Sequence, residues 1–207
     1  VTAHDFETLA CATPGVDVAR ARAAVGKHPC HVCPVTDAVT VYIVPWAPRV
    51  TVPNDERVAT PVADQGMLLA VRKRFERTRL IGTQVFVMPV KYRAADLAIS
   101  LLGERDQAAD LQSVLTAALA DFLDPLIGGD SDPATGWEFG APLRPSTLVR
   151  RAQEAVGAAA TVRSVAISLD GGAPEDCHDV DIGANALPWL RSLAVHVDPA
   201  PQPGALR

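Results

Sequence analysis

Residues 28–33 read His-Pro-Cys-His-Val-Cys, and His28, Cys30, His31 and Cys33 are the side chains in this sequence best suited to hold a metal. Thiolates and imidazoles bind zinc tetrahedrally, and a Cys-x-x-Cys step can supply two corners of such a site. A closed site normally draws on two separated clusters, because so short a run rarely reaches all four corners. Cys177 and His178 are the candidates for the second cluster, and zinc there would staple the far end of the chain onto its first half. Against this, neighbouring Cys and His in a loop are more often incidental, and no cofactor or metal is the preferred expectation. A Cys30–Cys33 disulfide ranks lower still in a reducing cytosol.

The other chemistry-bearing residues point away from catalysis. Glu175, Asp176, Asp179 and Asp181 form an acidic run, but it lacks the order and closing Glu of a calcium loop and reads as solvated. No G-x-S-x-G, H-E-x-x-H or phosphate-binding glycine loop occurs, and the spacing of Ser and His suggests no triad. No catalytic residue is assigned, and the chain is not expected to be an enzyme. Arg72, Lys73, Arg74, Arg77 and Arg79 crowd one short stretch. They form either a solvated helix face or a surface for an acidic partner, with Arg74 and Arg77 the interface candidates.

Composition narrows the class. Of 207 residues, 48% are apolar, mostly Ala, Val and Leu, so the chain can fill a core of thin side chains. Net charge is −5 with both signs interspersed, which excludes the basic surplus of a nucleic-acid binder. No apolar run approaches the roughly 20 residues of a spanning helix, and no signal peptide is visible at the start. Because the chain opens on Val1 and runs straight into an element, we read it as a piece of a longer polypeptide made in the cytoplasm.

These residues need elements to position them. Thr2 and Asp5 fit a capping box for a short helix that buries Phe6 and Leu9. Pro14 and Gly15 then turn the chain into a strand where Ala19, Ala21 and Ala23 alternate with Arg20 and Arg22. Val39–Val44 is a second, well-buried strand. Residues 45–63 form a proline-rich loop, long enough to be mobile or spread over a partner. A helix from about Asp64 to Thr78 buries Leu68, Val71 and Phe75 and carries the basic cluster, and Gly82 precedes a third strand. A strand over 92–102 places Leu97, Ile99 and Leu101 on one side. The next helix repeats Leu111, Leu115, Ala118 and Phe122, and Asp124-Pro125 stops it. A loop over 125–145 holds Trp137, Phe139 and Gly140. Ser146 is expected to cap a helix that closes at Gly157, followed by strands through Val165–Leu169 and Leu193–Val197.

The order predicts an α+β protein: two small open-sheet α/β subdomains in tandem, each with about three strands and two helices. The first spans 1–91, the second 92–198, and 199–207 is a tail. Trp137 and Phe139 can plug back onto the second sheet, or Trp137 can anchor a partner; both readings stay open.

Several segments together resemble the C-terminal region of the baseplate J-like family. They are Asp5-Phe6-Glu7 with Thr13-Pro14-Gly15-Val16 and Ala19-Arg20, the apolar strand ending at Pro45, and Leu80-Ile81-Gly82-Thr83 with Val85. The most distinctive is Phe122-Leu123-Asp124-Pro125-Leu126 with Gly128-Gly129, followed by Gly136-Trp137-Glu138-Phe139-Gly140. The likeness covers roughly residues 2–170; the Cys/His loop and the chain after 171 match nothing in it. It implies a structural wedge protein in the baseplate of contractile phage tails and extracellular contractile injection systems. The implied partners are other wedge subunits (a copy or paralogue), a sheath-initiating baseplate protein of lysozyme-like fold, and the central spike and hub. Assembly is expected in the cytoplasm, with the chain then part of the particle. The resemblance assigns structural roles only: Pro14-Gly15 as a turn, Gly82 before a strand, and Trp137, Phe139 and Gly140 as a docking loop.

Overall fold

A computed structural model describes residues 2–47, 60–79, 82–130 and 136–199. They divide into two compact units, one up to Lys91 and the other from Tyr92 onward. Each carries a three-stranded sheet and two α-helices, so the protein is α+β with two small subdomains in tandem.

Unit 1 runs α1 (Ala3–Cys11), β1 (Val18–Val25), β2 (Ala38–Pro45), α2 (Gln65–Thr78) and β3 (Gln84–Pro89). Its start is sealed by the expected capping box: Thr2 N–H donates to Asp5 Oδ2 at 2.7 Å, and Asp5 N–H to Thr2 Oγ1 at 3.3 Å. Asp64 caps α2 by accepting from Met67 N–H at 2.7 Å. The sheet order is β1-β2-β3, with β1 antiparallel and β3 parallel to β2. Phe6, Ala10, Val39, Val41, Ile43, Val71 and Phe75 form its core, and Phe6 meets Phe75 edge-on at 5.6 Å. Leu9 and Leu68 pack at its margin.

Two details depart from the periodicity. A bulge at Ala19 inserts one residue between the Val18–Pro45 and Arg20–Val44 pairs, which brings Val18 into phase with Ala21 and Ala23. β2 also breaks the alternation of a one-sided strand: beyond its core face it is buried at Ala38, Thr40 and Val44, and Thr40 Oγ1 donates to Lys27 O at 2.7 Å. Pro45 is the last residue of β2 rather than part of the loop; of the proline-rich segment, 48–59 lies outside the described residues.

Unit 2 runs β4 (Lys91–Gly103), a 3-10 turn (Arg105–Gln107), α3 (Ala108–Phe122), α4 (Pro145–Val156), β5 (Ala160–Leu169) and β6 (Ala186–Pro199). β4 begins at the last residue of unit 1 and lies between β5 and β6. It buries Ala95, Leu97, Ile99 and Leu101, and β5 answers with Val165 and Ile167. The seam of α3 is Leu111, Leu115, Leu119 and Phe122. Leu119, four residues after Leu115, takes the fully buried place expected for Ala118, which is half-buried. The start of α4 is also corrected. Its N-cap is Arg144, with no side-chain cap bond, and Pro145 opens the helix, so Ser146 sits inside the first turn. The final strand is longer than its apolar run, since pairing with β4 carries polar residues along.

The turn after β5 is tied to the start of β4. Asp170 adopts φ +52°. Its Oδ1 accepts from Ala94 N–H at 2.9 Å, and its Oδ2 accepts from Arg93 Nε at 2.6 Å.

Candidate functional site

The Cys/His loop is closed at its base, where Val35 N–H donates to Gly26 O at 2.9 Å, and His28 anchors its start. His28 stacks edge-on against Phe86 at 4.5 Å and against His31 at 4.4 Å, and its Nδ1 accepts from Cys30 N–H at 3.0 Å. Cys30, His31 and Cys33 are exposed, as are Cys177 and His178. Asp176 hydrogen-bonds the Cys177 thiol and holds it above its ordinary pKa, which lowers its thiolate content. Among the described residues no group of three or more His, Cys, Asp and Glu side chains is placed to hold a metal ion. The loop caps an aromatic residue of β3; the structure does not bring its thiols into a cluster.

The Asp124–Gly140 region is built from the end of α3 outward. Asp124 is buried, and its Oδ1 accepts from Leu126 N–H at 2.8 Å and Ile127 N–H at 3.1 Å, which turns the chain as the helix ends. Gly129 N–H then donates to Phe122 O at 2.7 Å. A Cβ on Gly128 would lie 2.3 Å from Phe122 O, so only glycine fits this return path. Trp137 is 6% exposed, packs edge-on against Phe122 at 5.2 Å and donates from Nε1 to Ala141 O at 3.2 Å. Phe139 is half-buried. Gly140 N–H donates to Ala186 O at 3.0 Å, while Leu143 pairs with Val180. These contacts fasten the described residues on both sides of 131–135 within unit 2.

Beside it lies a charged cluster that the sequence reading missed. Asp130 Oδ1 accepts from Arg150 at 2.6 Å and from Arg151 at 3.0 Å, and Glu154 receives Arg150 at 3.0 Å. Asp130 and Glu154 hold the Arg150 guanidinium above its ordinary pKa. The Arg151 guanidinium also lies over the Phe122 ring, 5.1 Å from its centroid. The i, i+4 step from Arg150 to Glu154 was the available signal; Asp130 lies too far along the chain to be inferred. A shallow cavity of about 150 Å³ opens here, lined by Asp130, Trp137, Glu138, Pro142, Arg144 and Thr147.

Arg72, Lys73 and Arg77 of α2 and Arg79 at its C-cap are exposed, while Arg74 is half-buried and its Nε has no hydrogen-bond partner among the described residues. Arg72 pairs with Glu76 at 3.4 Å. Pro14 and Gly15 are exposed, and Gly15 turns at φ +82°. Gly82, at φ +90°, precedes β3; Leu80 and Ile81 lie outside the described residues. Among the described residues no helix is long and apolar enough to cross a membrane.

The arrangement defines a class: two tandem α+β units, each a three-stranded sheet with two helices, whose described charged side chains largely pair with one another. That fold is similar to part of a chain in the cryo-EM structure of the anti-feeding prophage baseplate, 6-fold symmetrised. The TM-score is 0.52 at 11% identity, covering 91% of this chain and 37% of that one. The chain therefore spans little more than a third of the length of the protein it resembles, and at that identity the likeness concerns the fold. No protein-family model matches the sequence, and no curated protein does.

Proposed function

We propose that the chain is a structural component of the baseplate of a contractile, phage-tail-like injection particle, acting as part of a wedge that joins hub to sheath. The observation that carries this reading is the fold likeness across 91% of the chain to a baseplate protein. The Asp-Pro-Leu and Trp-x-Phe-Gly segments support it, because they are the most distinctive points of the resemblance and lie side by side in unit 2. The function is mechanical rather than catalytic: rigid faces transmit geometry between subunits. Contacts run through the basic half of α2, at Arg74 and Arg77, and through the loop carrying Phe139. The neighbours are further wedge subunits, the sheath-initiating protein of lysozyme-like fold, and the central spike complex.

The test is charge reversal in the producing cell. With Arg74→Glu and Arg77→Glu together, electron microscopy should find sheathed particles lost, while circular dichroism of the purified variant stays that of the native chain. Intact particles containing the variant would refute the partner role of this face. Sheathed particles in which an epitope tag on this chain is absent from the baseplate end would refute the assignment itself.

A further inference from the structure

The outer strands of the unit 1 sheet are not equivalent. On β1, Ala23 N–H donates to Glu7 Oε1 at 3.0 Å, so a side chain of α1 occupies part of that edge. On β3, Gln84 N–H donates to Asp37 O at 2.7 Å and Val90 N–H to Ile43 O at 3.3 Å, both toward β2. Strand alternation then turns the N–H and C=O groups of Val85 and Val87 outward, while Pro89 brings no donor. Among the described residues no strand pairs with that side.

The flank of this edge is basic. A groove of about 190 Å³ runs beside it, lined by Arg72, Phe75, Glu76, Arg79, Gln84 and Val85, with Phe86 completing the wall. Arg79 Nη1 donates to Thr83 O at 2.6 Å, which holds that guanidinium at the beginning of the edge. From 72 to 79 the chain carries Arg72, Lys73, Arg74, Arg77 and Arg79 against Glu76 alone, although the whole protein has a net charge of −5.

We propose that β3 accepts an extended, acidic segment of another polypeptide as a fourth strand. Its backbone pairs with Val85 and Val87, and its carboxylates meet Arg72 and Arg79. An open edge supplies main-chain affinity to any extended peptide, and the basic flank selects an acidic one. The inference rests on the geometry of unit 1 and not on the baseplate reading.

The test uses the full chain and a fluorescent peptide of alternating Val and Glu, about eight residues long. Binding should fall by about tenfold or more in three cases: when Lys replaces Glu, when the pairing amides are N-methylated, and in an Arg72→Glu, Arg79→Glu variant with an unchanged circular dichroism spectrum. Amide exchange at Val85 and Val87 should slow when the peptide binds. Failure of the Val-Glu peptide to bind would overturn the proposal. Equal binding of the N-methylated peptide would do the same, because it would reveal charge adsorption without strand pairing. So would tighter binding of a DNA duplex by the same arginines.

Discussion

Replacing Trp137 by Ala separates two roles for this residue: plugging its own unit or anchoring a neighbour. The indole is 6% exposed, lies edge-on to Phe122 at 5.2 Å and donates to Ala141 O at 3.2 Å. A buried Trp removes about 150–250 Å² from water. At roughly 25 cal/mol per Å² that is about 4–6 kcal/mol, an upper value because the unfolded chain already hides some of this surface. Measured Trp→Ala losses of about 3–5 kcal/mol agree, and they rival a large part of a domain's whole stability. Trp137→Phe keeps an apolar ring but removes the donor to Ala141, so a smaller loss of about 1–2 kcal/mol is expected. Urea denaturation followed by far-ultraviolet circular dichroism measures both. Amide exchange at Leu119 and Phe122 locates the loss in unit 2, with β2 amides reporting on the other core. A Trp137→Ala chain within about 1 kcal/mol of the native one, with α3 exchange unchanged, would refute the core role. It would leave partner anchoring as the reason for the residue.

Other outcomes follow from the same geometry. The Asp96 carboxylate accepts from Arg191 Nε at 2.8 Å, from a second nitrogen of the same guanidinium, and from Ser192 Oγ at 2.6 Å. Arg191 is the main cause that lowers its pKa, with Ser192 adding to the effect against partial desolvation. A depressed folded pKa contributes stability that is present above the unfolded value of about 3.9 and is lost as pH falls through the folded value. Asp96→Asn should therefore lower the melting temperature more at neutral pH than at a pH below the folded pKa of Asp96, which flattens the acid limb of the native profile. An unchanged acid limb would remove this pair from the account. Gly140→Ala should cost about 2–5 kcal/mol, since the new Cβ would lie 2.5 Å from Ala184 O at φ +76°. Gly15→Ala, at φ +82° with nothing within 4 Å, should cost only about 1–2 kcal/mol. Melting temperatures of the two variants give the comparison, and equal losses would show that backbone angle alone matters at Gly140.

The local plan of this protein is written in its sequence because it depends on neighbours a few residues apart. Thr2 and Asp5 close a capping box, Asp64 caps α2, and the apolar steps at Val71–Phe75 and Leu111–Leu115 choose the buried helix faces. Those signals suffice for the element order and for two α+β units. The rest needed the assembled chain. Val18 joins the core only because of the bulge at Ala19, whose need arises from the partner strand. Phe122 links Trp137 and Arg151, and Asp96 meets Arg191, across stretches of sequence with no shared period. The Cys/His loop shows the same limit from the other side. Its spacing suits a metal, yet whether thiols converge depends on where the flanking strands carry them, and here His28 turns onto Phe86. Hydrogen bonding and side-chain period act along the chain and can be read there, whereas burial, strand register and distant ion pairs depend on which surfaces meet when it closes.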